Sequence, residues 1–239
     1  YMGFNFDDPV TGNLKVRQAI AHAIDRRAII HHLLADAASP AGGLLPPEHW
    51  AGHPELDGIP HDRGKARQLL AELGYGPDRP LEISYKTSSD PLRVRIATVF
   101  QDQLADVGIR VKLQIYDWGT FYGDIKDGRF QMYSLAWVGI KTPDIFRYAF
   151  HSESIPPRGA NRGRYRDPQV DAWIEAAAAA DTLEQQVEYY RRIQARLLET
   201  LPYIPLWYED HVYAAHEDIS GYRLNTDGNY DGLTQVQRQ

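Results

Sequence analysis

The sequence has no cysteine, which removes disulfides and thiolate metal ligands and leaves both reducing and oxidising compartments open. It has no apolar run approaching the span of a bilayer, and no charged-then-apolar leader precedes Tyr1. Neither a membrane span nor a secretion signal is therefore expected within these 239 residues, although a signal removed beforehand would leave the same picture. Long basic runs are missing as well. Lys+Arg 26 against Asp+Glu 32 gives a net charge of -6, so no row of cations can neutralise a phosphate backbone and no nucleic-acid partner is expected. A small neutral or cationic ligand suits that balance better.

Catalytic and cofactor signatures are also missing. There is no nucleophile elbow, no phosphate-cradling glycine loop and no H-E-x-x-H, and the pair Gly159 and Gly163 is too closely spaced for a dinucleotide loop. The adjacent His31 and His32 would point apart on a helix, so spacing alone gives no metal site. No catalytic residue, metal or cofactor is assigned. What the chain does have is aromatic surface, with 15 Tyr and 5 Trp. Such side chains offer large contact area with a polar handle, and they fill cores or line binding clefts.

The run 130–137 carries apolar residues on both alternating faces, Phe130, Met132 and Ala136 on one and Tyr133, Leu135 and Trp137 on the other. That pattern predicts a central strand covered on two sides. Gly139 then turns the backbone away, followed by Pro143 and Asp144, which places an aromatic and polar rim at the carboxyl end of the strand, where open α/β sheets bind ligands. Trp137 serves either as core filling or as a ligand wall, and its place at a strand end favours the wall. Trp118, after the strand 109–115, poses the same choice. Asp144 either faces a ligand or caps a short helix, 145–150.

Elsewhere the pattern predicts a short strand near the start, one helix over 14–35 capped by Asn13, and a Pro- and Gly-rich loop over 39–60. A helix capped by Asp62, a strand 81–86, a helix from Pro91 to about residue 108 and a helix through 121–125 follow. Strands separated by helices give an α/β fold. Residues 151–165 form an irregular segment in which Asn161, Arg162 and Arg164 either contact a ligand or tie down their own loop. Two helices follow, opened by Asp167 and Pro168 and by a Thr182/Gln185 capping box; then come strands over 206–208 and 211–215, and a turn-rich end over 227–232.

Phe4-Asn5, Lys15-Val-Arg-Gln-Ala-Ile20, Ala23-Ile-Asp-Arg26, Leu45-Pro-Pro47 and Lys65-Ala-Arg-Gln-Leu-Leu-Ala-Glu72 stand in an order that resembles the bacterial extracellular solute-binding proteins of family 5. The likeness continues through Asp117-Trp118, Trp137, Pro143-Asp144, Asn161-Arg-Gly-Arg-Tyr165 and Leu201-Pro-Tyr-Ile-Pro-Leu206. The resemblance implies a periplasmic-binding-protein-like lobe, α/β with a mixed sheet flanked by helices, being the second lobe of a type II solute-binding fold. On that reading residues 1–205 are the second lobe and 206–239 return towards a first lobe outside this sequence. The implied function is capture of a peptide or similar small solute in an inter-lobe cleft and delivery to the ABC permease in the membrane. The implied location is the periplasm or extracellular face, with a membrane anchor in a missing N-terminal segment.

The ligand-binding residues expected on this basis are Trp118, Trp137, Gly139, Asp144, Asn161, Arg162, Arg164, Tyr165, Thr87 and Ser88. Two departures from the family pattern bear on specificity. Ile140 stands where peptide-binding relatives place an Asp for the ligand's amino group, and Thr87, Ser88 and Ser89 stand where dipeptide receptors hold the carboxylate. A dipeptide gripped at both ends is therefore disfavoured. A ligand-sensing domain of a transcriptional regulator and a hydrolase reusing the fold are the alternatives.

Overall fold

A computed structural model describes residues 1–225 and 228–239, so Asp227, in the expected turn-rich end, lies outside the described residues. The central sheet has five strands: β1 (Met2–Phe4), β3 (Leu81–Ser88), β4 (Ile109–Tyr116), β5 (Met132–Ser134) and β6 (Tyr203–Ile204), in the spatial order β4-β3-β5-β1-β6. β3 runs parallel to both β4 and β5, whereas β1 is antiparallel to β5 and β6, so the sheet is mixed as expected. β2 (Ala38–Pro40) and β7 (Trp207–Glu209) pair in a separate antiparallel ribbon, and β8 (Ile219–Ser220) pairs with β9 (Gln237–Arg238).

The strand read as central is central, the third of five, but it is short. Only Met132 to Ser134 lie in the ladder; Leu135 adds two bonds to Tyr1, its N–H donating to the Tyr1 carbonyl at 3.2 Å and its carbonyl accepting from the Tyr1 amino group at 3.0 Å, and the chain beyond leaves the sheet. Met132 packs into the larger core with α1 (Leu14–Ala23), α3 (Arg63–Glu72) and α4 (Pro91–Ala105). Tyr133, on the opposite face, packs with Phe121 and Ile125 of α5 (Trp118–Asp127). Both faces are thus sealed. A third cluster joins α6 (Ile145–Phe150), α7 (Pro168–Ala179) and α8 (Leu183–Thr200).

Helix ends follow local chemistry. Asn13, Asp62, Asp90, Asp117, Asp167 and Thr182 each accept a backbone N–H in the first turn of the helix they precede. The same chemistry corrects one expectation, since the helix over 14–35 is two. Asp25 accepts from Ala28 N–H at 3.0 Å and opens α2 (Arg26–Leu33), and Ile24 between them is extended although buried. The apolar spacing ran unbroken across a cap. The helix from Pro91 ends at Ala105, short of the expected residue 108. Residues 211–215 are not a strand: Val212 is 80% exposed, and with no surface to pack against its alternation has nothing to bury. Among the described residues no helix is long and apolar enough to cross a membrane.

Candidate functional site

At the carboxyl edge of the parallel strands the chain leaves β5 and forms one wall of a cavity of about 830 Å³. Residues 134–140 make that wall; residues 39–49 and β7 with its extension to His211 face it, and Leu197 and Leu198 of α8 contribute below. A cavity of this size falls in the range of small-molecule sites, and its surface is mostly apolar, as such sites are. Gly139 turns the wall at φ +71°, a conformation a side chain would strain.

The facing wall depends on a contact across 165 residues of sequence. The Tyr208 hydroxyl accepts from Gly43 N–H at 3.3 Å and lies 2.8 Å from the Leu45 carbonyl and 2.9 Å from that of Gly43. Burial pushes this phenol up to about 12, so it stays a neutral hydroxyl able to donate. Arg93 and Glu209 pair at 3.6 Å where both line the cavity; the pair is solvent-exposed and adds little to stability.

Of the residues expected from sequence, Trp137 and Gly139 line this cavity, and Ile140 lines it with them. Trp118, 58% exposed, stacks on Tyr122 with centroids 5.4 Å apart and planes at 8°. Arg162 joins these two tryptophan sites. Its guanidinium lies 5.3 Å from the Tyr122 ring and 4.9 Å from the Trp137 ring, and Trp137 stacks in turn on Tyr1 at 6.0 Å. Tyr1 stacks on Tyr203 at 3.9 Å. A continuous series of rings with one cation near its centre thus runs from α5 to β6.

The rest of that loop is turned inward. The Asn161 amide donates to the carbonyls of His151 at 3.1 Å and Tyr165 at 2.7 Å and accepts from Tyr165 N–H at 2.9 Å, so it is committed to the loop. Arg164 donates to the Arg162 carbonyl at 2.8 Å and lies 3.6 Å from Asp7, and the buried Tyr165 hydroxyl meets Thr200 at 2.9 Å and Asp167 at 3.1 Å. Thr87 and Ser88 are buried at the end of β3. Asp144 is exposed, makes no capping bond to α6, and accepts from the Thr142 hydroxyl at 2.9 Å. None of these six lines the cavity.

Sequence reasoning missed Arg93, the wall 39–49 as a unit, and Tyr1, Tyr122 and Tyr203. The Pro- and Gly-rich composition of 39–60 was a usable signal, because loops on rigid sheets carry binding surface. No local pattern marks the three tyrosines.

A mixed α/β sheet flanked by helices, with an apolar, aromatic-walled cavity at the carboxyl edge of its strands, is the type II periplasmic binding fold. The chain belongs to the bacterial extracellular solute-binding proteins, family 5, whose model, described as the family 5 middle region, matches residues 1–155. It is 31% identical over 223 residues to di/tripeptide-binding protein 2 of Pseudomonas aeruginosa, covering 92% of this chain and 41% of that protein. The structure superposes on the dipeptide binding protein of Pseudoalteromonas sp. SM9913, solved in complex with Met-Leu, with a TM-score of 0.87 and 27% identity over 100% of this chain and 48% of that one. The oligopeptide-binding protein AppA of Bacillus subtilis, at 24% identity and a TM-score of 0.86, shares the fold over 50% of its length. The chain therefore spans about half the length of the relatives it matches.

Proposed function

We propose that this chain is most of the second lobe of a two-lobed receptor that captures a small solute, a peptide or a compound of similar size, and delivers it to an ABC permease. The observation that carries this reading is the cavity of about 830 Å³ walled by Trp137 and open at the strand ends, in a chain of this family. A first lobe, encoded outside this sequence, would close over the cavity about a hinge. Residues 1–205 would form the lobe, and 206–239, beginning where the chain leaves β6 of the main sheet for the ribbon of β7 with β2, would return towards the first. The receptor would work outside the cytoplasmic membrane, held there by a segment preceding Tyr1. The names of the similar proteins support peptides as the solute class.

Thermal unfolding of the full-length protein against dipeptides, tripeptides, amino-blocked peptides and oligosaccharides tests the reading. A specific solute at a hundred times its Kd adds about 2.7 kcal/mol, a shift of several degrees. A flat response to the whole panel would sink it.

A further inference from the structure

Arg162 is 7% exposed, and among the described residues no carboxylate pairs with it. Its Nη1 donates to the Tyr1 hydroxyl at 3.0 Å and its Nη2 to the Tyr122 hydroxyl at 3.2 Å, while the rings of Tyr122 and Trp137 flank the guanidinium. In the same ring cluster the buried indole Nε1 of Trp137 has no hydrogen-bond partner, and the buried hydroxyls of Tyr133 and Tyr203 have only each other and the Tyr1 hydroxyl close by, at less than good hydrogen-bond geometry. Tyr133 is fully buried and Tyr203 is 7% exposed. Tyr1, Trp137 and Tyr203 line the cavity, and Arg162 stands behind them without lining it.

The character of these groups narrows what can complete them. A guanidinium and an indole N–H only donate, and the hydroxyls of Tyr1 and Tyr122, already accepting from Arg162, have their own protons left to give. Burial pushes the phenols of Tyr1, Tyr133 and Tyr203 upward, so they do not supply the missing negative charge. A buried cation without a counter-charge is costly, as are buried donors without acceptors. An ammonium group would find no carboxylate in the wall beside Arg162, residues 134–140; the carboxylates that line the cavity, Glu48, Glu209 and Asp210, belong to the facing wall. A planar group that only accepts fits both the fork and the donors.

We propose that Arg162, with the hydroxyls of Tyr1 and Tyr203 and the indole N–H of Trp137, receives a carboxylate of the solute. The net charge of -6 favours neutral or cationic solutes in bulk, and this site inverts that preference locally. The inference rests on the chain being a solute-binding lobe.

Isothermal titration on the full-length protein separates the two. The probes are Ala-Phe, Met-Leu and Ala-Phe-Ala, each as free acid and as C-terminal amide, with free and with acetylated amino termini. Wild type should bind acids about tenfold or more tighter than the matching amides, the scale of a charge-assisted hydrogen bond. Arg162→Gln should bring that ratio near one while Arg162→Lys retains part of it, and circular dichroism checks that both variants fold. A purely structural Arg162 would leave the ratio unchanged. Equal binding of acids and amides by wild type overturns the carboxylate site, with its donors then filled by water, and leaves solute capture standing. No binding by any probe overturns both.

Discussion

Arg17 and Arg162 each bury a guanidinium against an aromatic ring, 4.0 Å from Phe6 in one case and 4.9 Å from Trp137 in the other, and neither has a carboxylate partner among the described residues. Their hydrogen-bond acceptors differ. Arg17 donates to the main-chain carbonyls of Thr11 at 2.8 Å and Thr200 at 2.7 Å, which no rotation can redirect, and so ties the loop before α1 to the end of α8. Burial lowers its pKa to about 10, still charged at neutral pH. Arg162 donates to tyrosine hydroxyls, which can turn and pass a proton onward. Carbonyl acceptors make a fastener, whereas hydroxyl acceptors beside a cavity leave a cation available to a third party.

The largest expected effect breaks the fastener. Arg17→Ala orphans two carbonyls and removes the stem from beneath Phe6, and should destabilise by about 4 kcal/mol in urea unfolding while leaving solute affinity of the folded protein unchanged. A loss under about 1 kcal/mol would refute that account.

Lys86 supplies the contrast of a buried cation that does have a carboxylate. It is hydrogen-bonded to Asp124, which Arg129 also contacts at 2.7 Å. Asp124→Asn should cost about 3 kcal/mol by leaving Lys86 unpaired. The hydrogen bond from Lys86 is the main cause holding the Asp124 carboxyl below its ordinary value. Stability from a depressed carboxylate is present above the unfolded pKa of about 4 and is lost as pH falls through the lower folded value. Acid titration of stability should therefore be steeper for wild type than for the variant below about pH 4.

Gly3→Ala sharpens the comparison from beneath. A Cβ at Gly3 would stand 2.7 Å from the Tyr133 ring, so that ring must move, at a cost of about 2 kcal/mol in thermal unfolding. The displacement should weaken solutes held at Arg162 and leave the Arg17 fastener intact. The smallest stability effect belongs to Arg162→Met. Its tyrosine partners keep hydroxyls of their own, and the apolar stem is retained, so unfolding should shift by about 1 kcal/mol. A loss comparable to that of Arg17→Ala would make both arginines fasteners.

The sequence disclosed the sheet more fully than the site. Met132 and Tyr133 announce a doubly covered strand through their alternation, and Asn13, Asp62 and Thr182 announce helix starts through chemistry that acts within one turn. Asp25 had the same signal, hidden beneath an apolar period that continued across it. Arg162 and Arg164, two positions apart in one loop, cannot be told apart in this way. One enters the ring cluster and the other turns towards Asp7, as contacts from β1, α5 and the wall after β5 dictate. The Tyr208 to Gly43 contact is likewise invisible to any local pattern, because it joins residues 165 apart.

The ring series gives this lobe an optical consequence. Trp118 sits in water at one end, while Trp137 lies half-buried against a guanidinium. Indole emission depends on the polarity and charge beside the ring, so the two report different environments. A molecule covering Trp118 would blue-shift its emission. One entering beside Trp137 would change the intensity contributed by the ring nearest the cation. The ring series therefore carries two of the chain's five tryptophans, and with Trp50, Trp173 and Trp207 replaced by Phe their separate responses indicate, without any label, which end of the series has been occupied.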